Sequence, residues 1–275
     1  MKIGMAGSAM MTSNWKDALQ TAINLGYDAF EISCEYPQAD PDHIPKAERE
    51  KGKETAEKAG IAIALHAPFN SLNFATFNQG IRKESVRQTI EAVNFCADLG
   101  GKTVVTHNGE YLIDPDWGGQ AEQGLGLQYD LNIDSLKRVA EAAEKRGVIL
   151  CLENCNFVRA KVEQTLADLV KIKDEVKSPN LKFTLDIGHS RLAEGVESAI
   201  KILGKDIRHI HFTDNFGKKD DHLVIGEGNF DYSSFVDFIL GFRHIVTLEV
   251  VVLDTSPEPA RKSLENFKRI IGGGS

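Results

Sequence analysis

The segment VILCLEN at residues 148–154 decides the fold, because five apolar residues run without a polar interruption into a glutamate and an asparagine. Strands covered on both faces, as in a parallel sheet, have this kind of continuous apolar sequence. A second such run, KFTLDIG at 182–188, follows after an interval long enough for a helix and also contains a terminal carboxylate. Two strands joined in this way make a βαβ unit. The pair therefore predicts a parallel sheet.

Runs of the same kind recur along the rest of the chain. They are KIGMA (2–6), DAFEIS (28–33), IAIALHA (61–67), KTVVTH (102–107), IRHIHFTD (207–214) and HIVTLEV (244–250). Amphipathic segments lie between them. The clearest are 46–59, 80–99, 131–146 and 191–203, and each is followed by glycine. A further helix is predicted to be capped by Ser13 and to end at Gly26. Eight strand-plus-helix units of about 34 residues predict one (β/α)8 TIM barrel, a single domain over 1–275.

A doubly wound open sheet is the alternative architecture. It would need a glycine-rich phosphate-binding turn after the first strand. The segment AGSAM at 6–10 matches that turn poorly. The barrel is therefore the predicted fold.

Composition narrows the class of protein. The 275 residues are 42% hydrophobic and 26% charged, with a net charge of −8, which does not favour a nucleic-acid partner because phosphate binding usually requires a basic surface. No apolar run approaches the length of a membrane helix, and the first residues lack the pattern of a signal peptide. The four cysteines form no CxxC pair. These features predict a reduced, cytoplasmic protein with no membrane association.

Residues able to bind metal stand at or near the ends of six consecutive predicted strands. They are His66, His107, Glu153, Asp186, His211 and Glu249. In a barrel these ends meet at one face, where active sites are found. A single such residue is more often structural, but several buried together are costly unless a cation compensates them. The set, which contains no cysteine, predicts a site for Mn, Mg, Zn, Co or Fe.

Further polar residues extend or support this set. His189 follows Asp186 by three residues, and Asp220 and His222 lie in the loop after the seventh strand, spaced so that both could face one ion. Glu31 is expected either to support the site or to form an internal salt bridge. His209 lies one layer deeper than His211 and is expected to be a core histidine.

The glycine-rich segment 108–130 is expected to be a loop, either a mobile lid over the site or a long surface connection. Phe69 and Trp117 are candidates for an apolar wall of the pocket. Packing between helices is the alternative for both aromatic residues.

Motifs along nearly the whole chain resemble the xylose isomerase-like TIM-barrel superfamily, which holds sugar and sugar-phosphate isomerases and epimerases together with the family-two AP endonucleases. The matching segments are LHAPF (65–69), VVTHNG (104–109), CLENC (151–155), LDIGHS (185–190), HIHFTDN (209–215), DDHLVIGEGNFDY (220–232) and TLEV (247–250). Their common order makes the resemblance specific.

The resemblance implies a ligand set for each branch of the superfamily. In the isomerases, Glu153, Asp186, His211 and Glu249 would bind one divalent metal and His189 would contact the substrate. In the nucleases, three zinc ions would be held by nine residues. Those nine positions are His66, His107, Glu153, Asp186, His189, His211, Asp220, His222 and Glu249, and all are occupied by suitable side chains.

Two departures from the family patterns bear on substrate. Ketose epimerases usually have a substrate-binding glutamate where this chain has Arg159, and an arginine where it has Gly217. Arg159 is therefore a candidate to bind a phosphate or carboxylate, with a solvated arginine as the equal alternative. On the nuclease side, LDIGH replaces a cysteine-bearing turn, and no loop of aromatic and arginine residues suited to entering DNA is evident.

These observations predict an isomerase or epimerase of a sugar or sugar phosphate, acting by proton transfer through a metal-stabilised enediolate. Glu153 and Glu249 are the expected acid and base, with His66, His107, His189 and Arg159 binding substrate. The metal is expected to be Mn, Mg, Co or Zn. A trinuclear zinc phosphodiesterase or AP endonuclease is the first alternative, and a non-catalytic sugar-binding barrel is the second. Dimers and tetramers are common in the family that the motifs resemble, so a homo-oligomer is one of the states left open.

Overall fold

A computed structural model describes residues 1–113 and 119–273, and it forms the closed parallel barrel that the sequence predicts. The strands run in chain order around the barrel, and the last pairs with the first to close it. The strands of the described residues are β1 Lys2–Ala6, β2 Ala29–Ser33, β3 Ala62–His66, β4 Thr103–Thr106, β5 Ile149–Glu153, β6 Leu181–Asp186, β7 Ile207–Phe212 and β8 Ile245–Leu248. Each lies within the run predicted for it except β6, which begins one residue earlier, at Leu181.

Helices connect the strands and cover the outside of the barrel. Within the described residues they are α1 Trp15–Leu25, α2 Lys46–Ala59, α3 Gln79–Asp98, α4 Gly119–Arg146, α5 Leu166–Val176, α6 Ile187–Leu192, α7 Val196–Leu203, α8 Val236–Gly241 and α9 Glu258–Ile271. The predicted helix at 191–203 is two helices, with a break at Ala193–Gly195. The single-domain (β/α)8 prediction is confirmed.

The N-terminal limit of α1 differs by one residue from the prediction. Asn14, not Ser13, caps this helix, because its side chain accepts hydrogen bonds from the backbone N–H groups of Lys16 and Asp17. Both residue types are good caps, so the sequence alone did not separate the two positions.

The expectation of a loop over 108–130 is wrong for residues 119–130, which belong to α4. Buried amides attach this helix to the barrel despite its glycines. Gln128 donates to the Ala75 carbonyl at 3.1 Å, and Asn132 accepts from the Gly109 N–H at 2.8 Å. These contacts offset the low helix propensity of glycine. Trp117, proposed for the pocket wall, lies outside the described residues.

Strand periodicity sorts the side chains between the barrel interior and the surrounding helices. Apolar residues such as Phe30 and Ile32 of β2 are fully buried in the hydrophobic core, while Glu31 between them reaches across the interior to β7. Adjacent residues of a strand point to opposite faces, so polar groups placed at alternate positions are collected inside the barrel.

Two further expectations bear on compartment. All four cysteines are buried and unpaired. No helix of the described segments has both the length and the apolar character required to cross a membrane.

Candidate metal centre and active site

The four residues of the predicted isomerase metal site lie together at the carboxyl ends of β5 to β8. Glu153 and Asp186 are the last residues of β5 and β6. His211 is next to last in β7, and Glu249 directly follows β8. One potential ligand atom from each lies within 4.8 Å of the others. The barrel register produces this convergence, since it sets Asp186 level with His211 on the neighbouring strand.

The imidazole of His211 faces the three carboxylates. Its Nδ1 atom lies 3.1 Å from Glu249 Oε2, 3.5 Å from Glu153 Oε1 and 3.9 Å from Asp186 Oδ2. His211 Nδ1, Asp186 Oδ2 and Glu249 Oε2 are nevertheless buried without a hydrogen-bond partner. Unsatisfied buried polar atoms are costly and rare. Three carboxylates and one imidazole arranged in this way fit a divalent cation of the Mn, Mg, Co or Zn type.

The pKa values of the carboxyl groups reflect this crowding. Burial raises the pKa of Asp186 to about 7, although the charge of His189 opposes the shift. Burial also acts to raise the pKa of Glu249, but the charges of His211 and His222 outweigh it and bring the pKa to about 2. Histidine charges likewise outweigh burial at Glu153 and hold its pKa well below the usual value. A bound cation would favour the charged form of Asp186 against the burial that raises its pKa.

His66 and His107 lie on the other side of Glu153. His107 Nε2 is 3.1 Å from Glu153 Oε2, and His66 Nε2 is 3.5 Å from the same oxygen. The Nδ1–H of His66 donates to the Ala67 carbonyl at 2.8 Å, which leaves Nε2 facing the carboxylate. These three residues make a second cluster of potential metal ligands. Glu153 thus belongs to both the first and the second cluster.

His189, Asp220 and His222 form a third cluster at the mouth of the barrel. Asp220 Oδ2 is 3.1 Å from His189 Nε2 and 2.8 Å from His222 Nε2. The link to the first cluster is direct, since His189 Nδ1 lies 3.1 Å from Glu153 Oε1. The spacing of Asp220 and His222 had predicted their common direction, but it could not place His189 beside them.

The loop after β7 is held in place by specific backbone contacts. Asp214 Oδ2 accepts hydrogen bonds from the N–H groups of Gly226 and Gly228, each at 2.9 Å. A Cβ on Gly228 would lie 2.2 Å from Asp214 Oδ1, so only glycine fits there. His222 has a φ of +44°, a conformation that non-glycine residues adopt at an energetic cost. The loop therefore positions His222 toward the site against its local preference.

A cavity of about 280 Å³ opens above the clusters. The ligand-type residues Glu153, His189 and Glu249 form part of its lining. Its apolar lining is contributed by Met11, Phe69, Phe157, Val158 and Val251. Phe69 contacts the His66 and His107 rings, with centroids 5.2 and 4.8 Å away, and so takes the predicted wall position. A polar base with apolar sides is the usual form of a small-molecule site.

Arg159 is not brought to the cavity. It is exposed and is not among the lining residues, so its role in binding substrate stays a prediction. Lys161 lines the cavity instead, although the sequence reading did not select it. An isolated antiparallel bridge between Glu110 and Lys161 sets the register of this loop, and Lys161 Nζ lies 3.1 Å from Glu110 Oε1. No sequence signal distinguishes two cations two residues apart in a loop.

Sequence reasoning also missed Cys155 and Glu35 as residues of the cavity wall. Cys155 belongs to a group of potential metal ligands with Glu153 and His189, and burial raises its thiol pKa to about 12. Glu35 accepts hydrogen bonds from the N–H groups of Phe69 and Asn70 at 2.8 Å and so holds the loop after β3. Both follow their strands by two residues, which is the signal that could have selected them.

The chain belongs to the xylose isomerase-like TIM barrel family, whose model matches residues 19–270. An uncharacterized protein, MJ1311, of Methanocaldococcus jannaschii is 30% identical over 256 residues, covering 90% of this chain and 83% of the relative. The fructoselysine 3-epimerase of Shigella flexneri is 27% identical over 285 residues, covering 98% of each protein. The resemblance inferred from the motifs is therefore confirmed.

Comparison with solved structures gives the same result. The crystal structure of a D-tagatose 3-epimerase-like protein has a TM-score of 0.84 and 26% identity, covering 100% of this chain and 98% of the other. Sugar epimerases are thus present among both the sequence relatives and the structural neighbours of the chain.

Proposed function

We propose that the protein is a divalent-metal-dependent epimerase or isomerase that moves a proton at the carbon next to the carbonyl of a sugar. The observation that carries the proposal is the buried group Glu153, Asp186, His211 and Glu249, with its unsatisfied atoms, at the base of a sugar-sized cavity. The fructoselysine 3-epimerase relative supports the same reaction class.

The four clustered residues would hold the cation. When bound, it supplies a Lewis acid that acidifies a C–H bond beside a carbonyl and stabilises the negative charge that develops on the oxygen.

Glu153 and Glu249 are proposed as the groups that exchange the substrate proton. They come from strands three positions apart in the barrel, so they reach the cavity from different sides. Inversion at carbon requires removal of the proton from one face and its return to the other. One carboxylate removes the proton, and the other returns a proton that it receives from a neighbouring histidine. Both lie among histidines that can relay protons, His107 and His189 beside Glu153 and His222 beside Glu249.

The other lining residues are proposed to orient the substrate. His66, His107 and His189 offer ring nitrogens to hydroxyl groups, while Phe69 and Phe157 cover the site and restrict access of water. Lys161 is the one lysine or arginine among the described lining residues, and it is paired with Glu110. A phosphate usually attracts several unpaired donors. This composition favours a sugar without a phosphate over a sugar phosphate.

Solvent deuterium exchange tests the proposed reaction. Metal-replete protein is incubated in D2O with a panel of ketoses and their phosphates, and incorporation at the carbons beside the carbonyl is read by NMR and mass spectrometry. We expect exchange with one or more free ketoses, and its loss on metal removal by a chelator. Absence of exchange with every member of the panel would contradict the proposal.

A zinc phosphodiesterase is the second candidate, favoured by one specific observation. Three clusters of potential ligands adjoin one another, and Glu153 belongs to two of them while His189 links it to the third. All nine residues of the trinuclear alternative contribute to these clusters. Elemental analysis separates the two candidates. About three zinc ions per chain with cleavage of abasic DNA supports the nuclease, whereas one cation with deuterium exchange supports the epimerase.

A further inference from the structure

Glu31 occupies a central position beneath the proposed metal site. It lies on β2, is only 3% exposed, and crosses the interior of the barrel to reach side chains of β7 and β8. An isolated buried carboxylate is strongly destabilising. Its retention inside the barrel therefore depends on the groups that surround it.

Both oxygens of Glu31 have partners. Oε1 lies 3.1 Å from His211 Nε2. Oε2 lies 2.6 Å from His209 Nε2 and accepts a hydrogen bond from Thr247 Oγ1 at 3.2 Å. The groups that contact Glu31 are two imidazoles and a hydroxyl group, each of which can donate a hydrogen bond to a carboxylate oxygen.

This contact decides which nitrogen of His211 carries a hydrogen. A carboxylate oxygen faces Nε2 of His211 at 3.1 Å, so Nε2 is the donor of this hydrogen bond. In the neutral ring the lone pair then resides on Nδ1. That atom faces Glu153, Asp186 and Glu249 and has no hydrogen-bond partner. A carboxylate on the far nitrogen of a ligating imidazole fixes ring orientation and tautomer and increases ligand basicity.

We propose that Glu31 is a positioning residue that holds His211 with Nδ1 directed at the three carboxylates and thereby sets the cation affinity of the site. The inference rests on the metal site of the proposed function. It adds a role for a residue that touches neither the cation nor the substrate carbon.

The competing explanation is that Glu31 only balances charge within the barrel. His209 separates the two explanations, because it contacts Glu31 Oε2 at 2.6 Å but is one layer away from the carboxylate cluster. Its removal disturbs the internal ion pair and leaves the Glu31–His211 hydrogen bond in place. A purely structural role predicts that both residues matter in the same way.

The first experiment uses the unmodified chain. Protein containing ¹⁵N-histidine is loaded with ¹¹³Cd²⁺, and the cadmium–nitrogen coupling identifies the nitrogen of His211 that binds the ion. We expect coupling to Nδ1 and an exchange-protected hydrogen on Nε2. Coupling to Nε2 would overturn the proposal, and this result does not depend on whether any variant folds.

The second experiment compares Glu31→Gln with His209→Asn as a matched control. Affinities for Mn²⁺ and Zn²⁺ are measured by competition with a chromogenic chelator, and folding is followed by circular dichroism. Glu31→Gln keeps the shape of the side chain and removes its charge, and we expect affinity about 10–100-fold weaker, as for other outer ligands of metal sites. His209→Asn should lower the melting temperature while affinity changes by less than about threefold, since His209 meets the His211 ring only edge-on and its removal leaves the Glu31–His211 hydrogen bond and the metal-facing Nδ1 in place.

The outcomes remain separable from those of the proposed function. If the wild-type protein binds cations and exchanges deuterium while Glu31→Gln binds as tightly as wild type, the inference is wrong and the function stands. Equal loss of affinity in both variants also overturns it. Wild-type protein that binds none of these cations removes the metal site, and the inference with it.

Discussion

Two regions of the molecule bury charged side chains, and they do so in opposite ways. Arg49 on α2 is 8% exposed, and its guanidinium donates to acceptors in every direction. It binds Asp98 at 3.0 Å and Glu91 at 2.8 Å, as well as the Ile44 and Pro41 carbonyls. The cluster around Glu153 and Asp186 instead contains three carboxylates and one imidazole, and it leaves ligand atoms without hydrogen bonds.

The comparison shows that buried charges can stabilise the fold, as they do around Arg49, or can provide a site for a ligand, as around Glu153. Around Arg49, one cation meets two carboxylates and two carbonyls, so the group is complete without anything added. At the carboxyl ends of β5 to β8 the group is incomplete, which costs stability in the protein alone. Completion by a cation is the simplest physical reason for such a group to persist.

The largest expected effect comes from the incomplete region. Glu153→Gln and Glu249→Gln should each lower turnover about 10²–10⁴-fold, because each removes a group that exchanges the substrate proton. The melting temperature should change little, since the amide keeps the shape of the side chain. Turnover is measured on the ketose found by deuterium exchange, together with metal content. Glu57→Gln, an exposed carboxylate of α2, is the control.

Full activity and full metal content in Glu249→Gln would show that the wrong group of residues has been assigned to the site. An equal loss of turnover in the Glu57 control would point instead to a general effect of the substitution.

The region around Arg49 should respond in the opposite way, with a loss of stability and no loss of metal affinity. Arg49→Met should destabilise the protein by about 2–4 kcal/mol, because Glu91 and Asp98 lose the cation that compensates them. The contact of the guanidinium with the Phe95 ring, at 5.2 Å, is lost as well. Urea unfolding measures the free energy change. Metal affinity at 25 °C should equal that of wild type, and a parallel loss of affinity would contradict the separation of the two regions.

The next prediction concerns the pH dependence of stability that arises from Glu163, a buried carboxyl group without a full counter-charge. Burial raises its pKa to about 7, and Glu163 Oε1 accepts a hydrogen bond from the Cys155 N–H at 3.3 Å. The folded protein therefore binds this proton more tightly than the unfolded chain, so stability falls as pH rises from about 4.5 to about 7.

Glu163→Gln should remove that pH dependence. At pH 8 the variant should be more stable than wild type by about 3 kcal/mol, and near pH 4.5 the two should be nearly equal. Urea unfolding at both pH values makes the measurement. An equal difference between the proteins at both pH values would mean that ionisation of Glu163 is not the cause.

The smallest effect is expected on the surface. Lys145 and Glu141 form an exposed pair one helical turn apart on α4, with Nζ 2.6 Å from Oε1. Solvent screens such pairs, so Lys145→Ala should shift the melting temperature by less than about 1 °C. A larger loss would show that exposed pairs also contribute to stability here, which would weaken the contrast between complete and incomplete buried groups.

The barrel and the meeting of ligand-type side chains at one face could be predicted from sequence because both depend on periodicity along single strands, and the family resemblance then selected the central four residues. The carboxyl ends of the parallel strands in a closed barrel all lie at one face. Glu153, Asp186, His211 and Glu249 therefore converge there whatever the loops do. The helix at Gly119 could not be predicted in the same way. Its glycines indicate a loop, and the amide contacts of Gln128 and Asn132 that override them are long-range.

Sequence alone therefore determined the fold, the family and the height at which the ligand-type side chains meet, because strand period and strand order are local properties. Tertiary structure decided the rest. It placed Lys161 rather than Arg159 in the cavity wall through one bridge between two loops. It joined His189 to Asp220 and set Glu31 beneath His211 across the barrel. The His189–Asp220 contact joins residues that are 31 positions apart in the sequence, and the Glu31–His211 contact joins residues that are 180 positions apart. Both depend on how loops and strands pack in three dimensions, which no local pattern encodes.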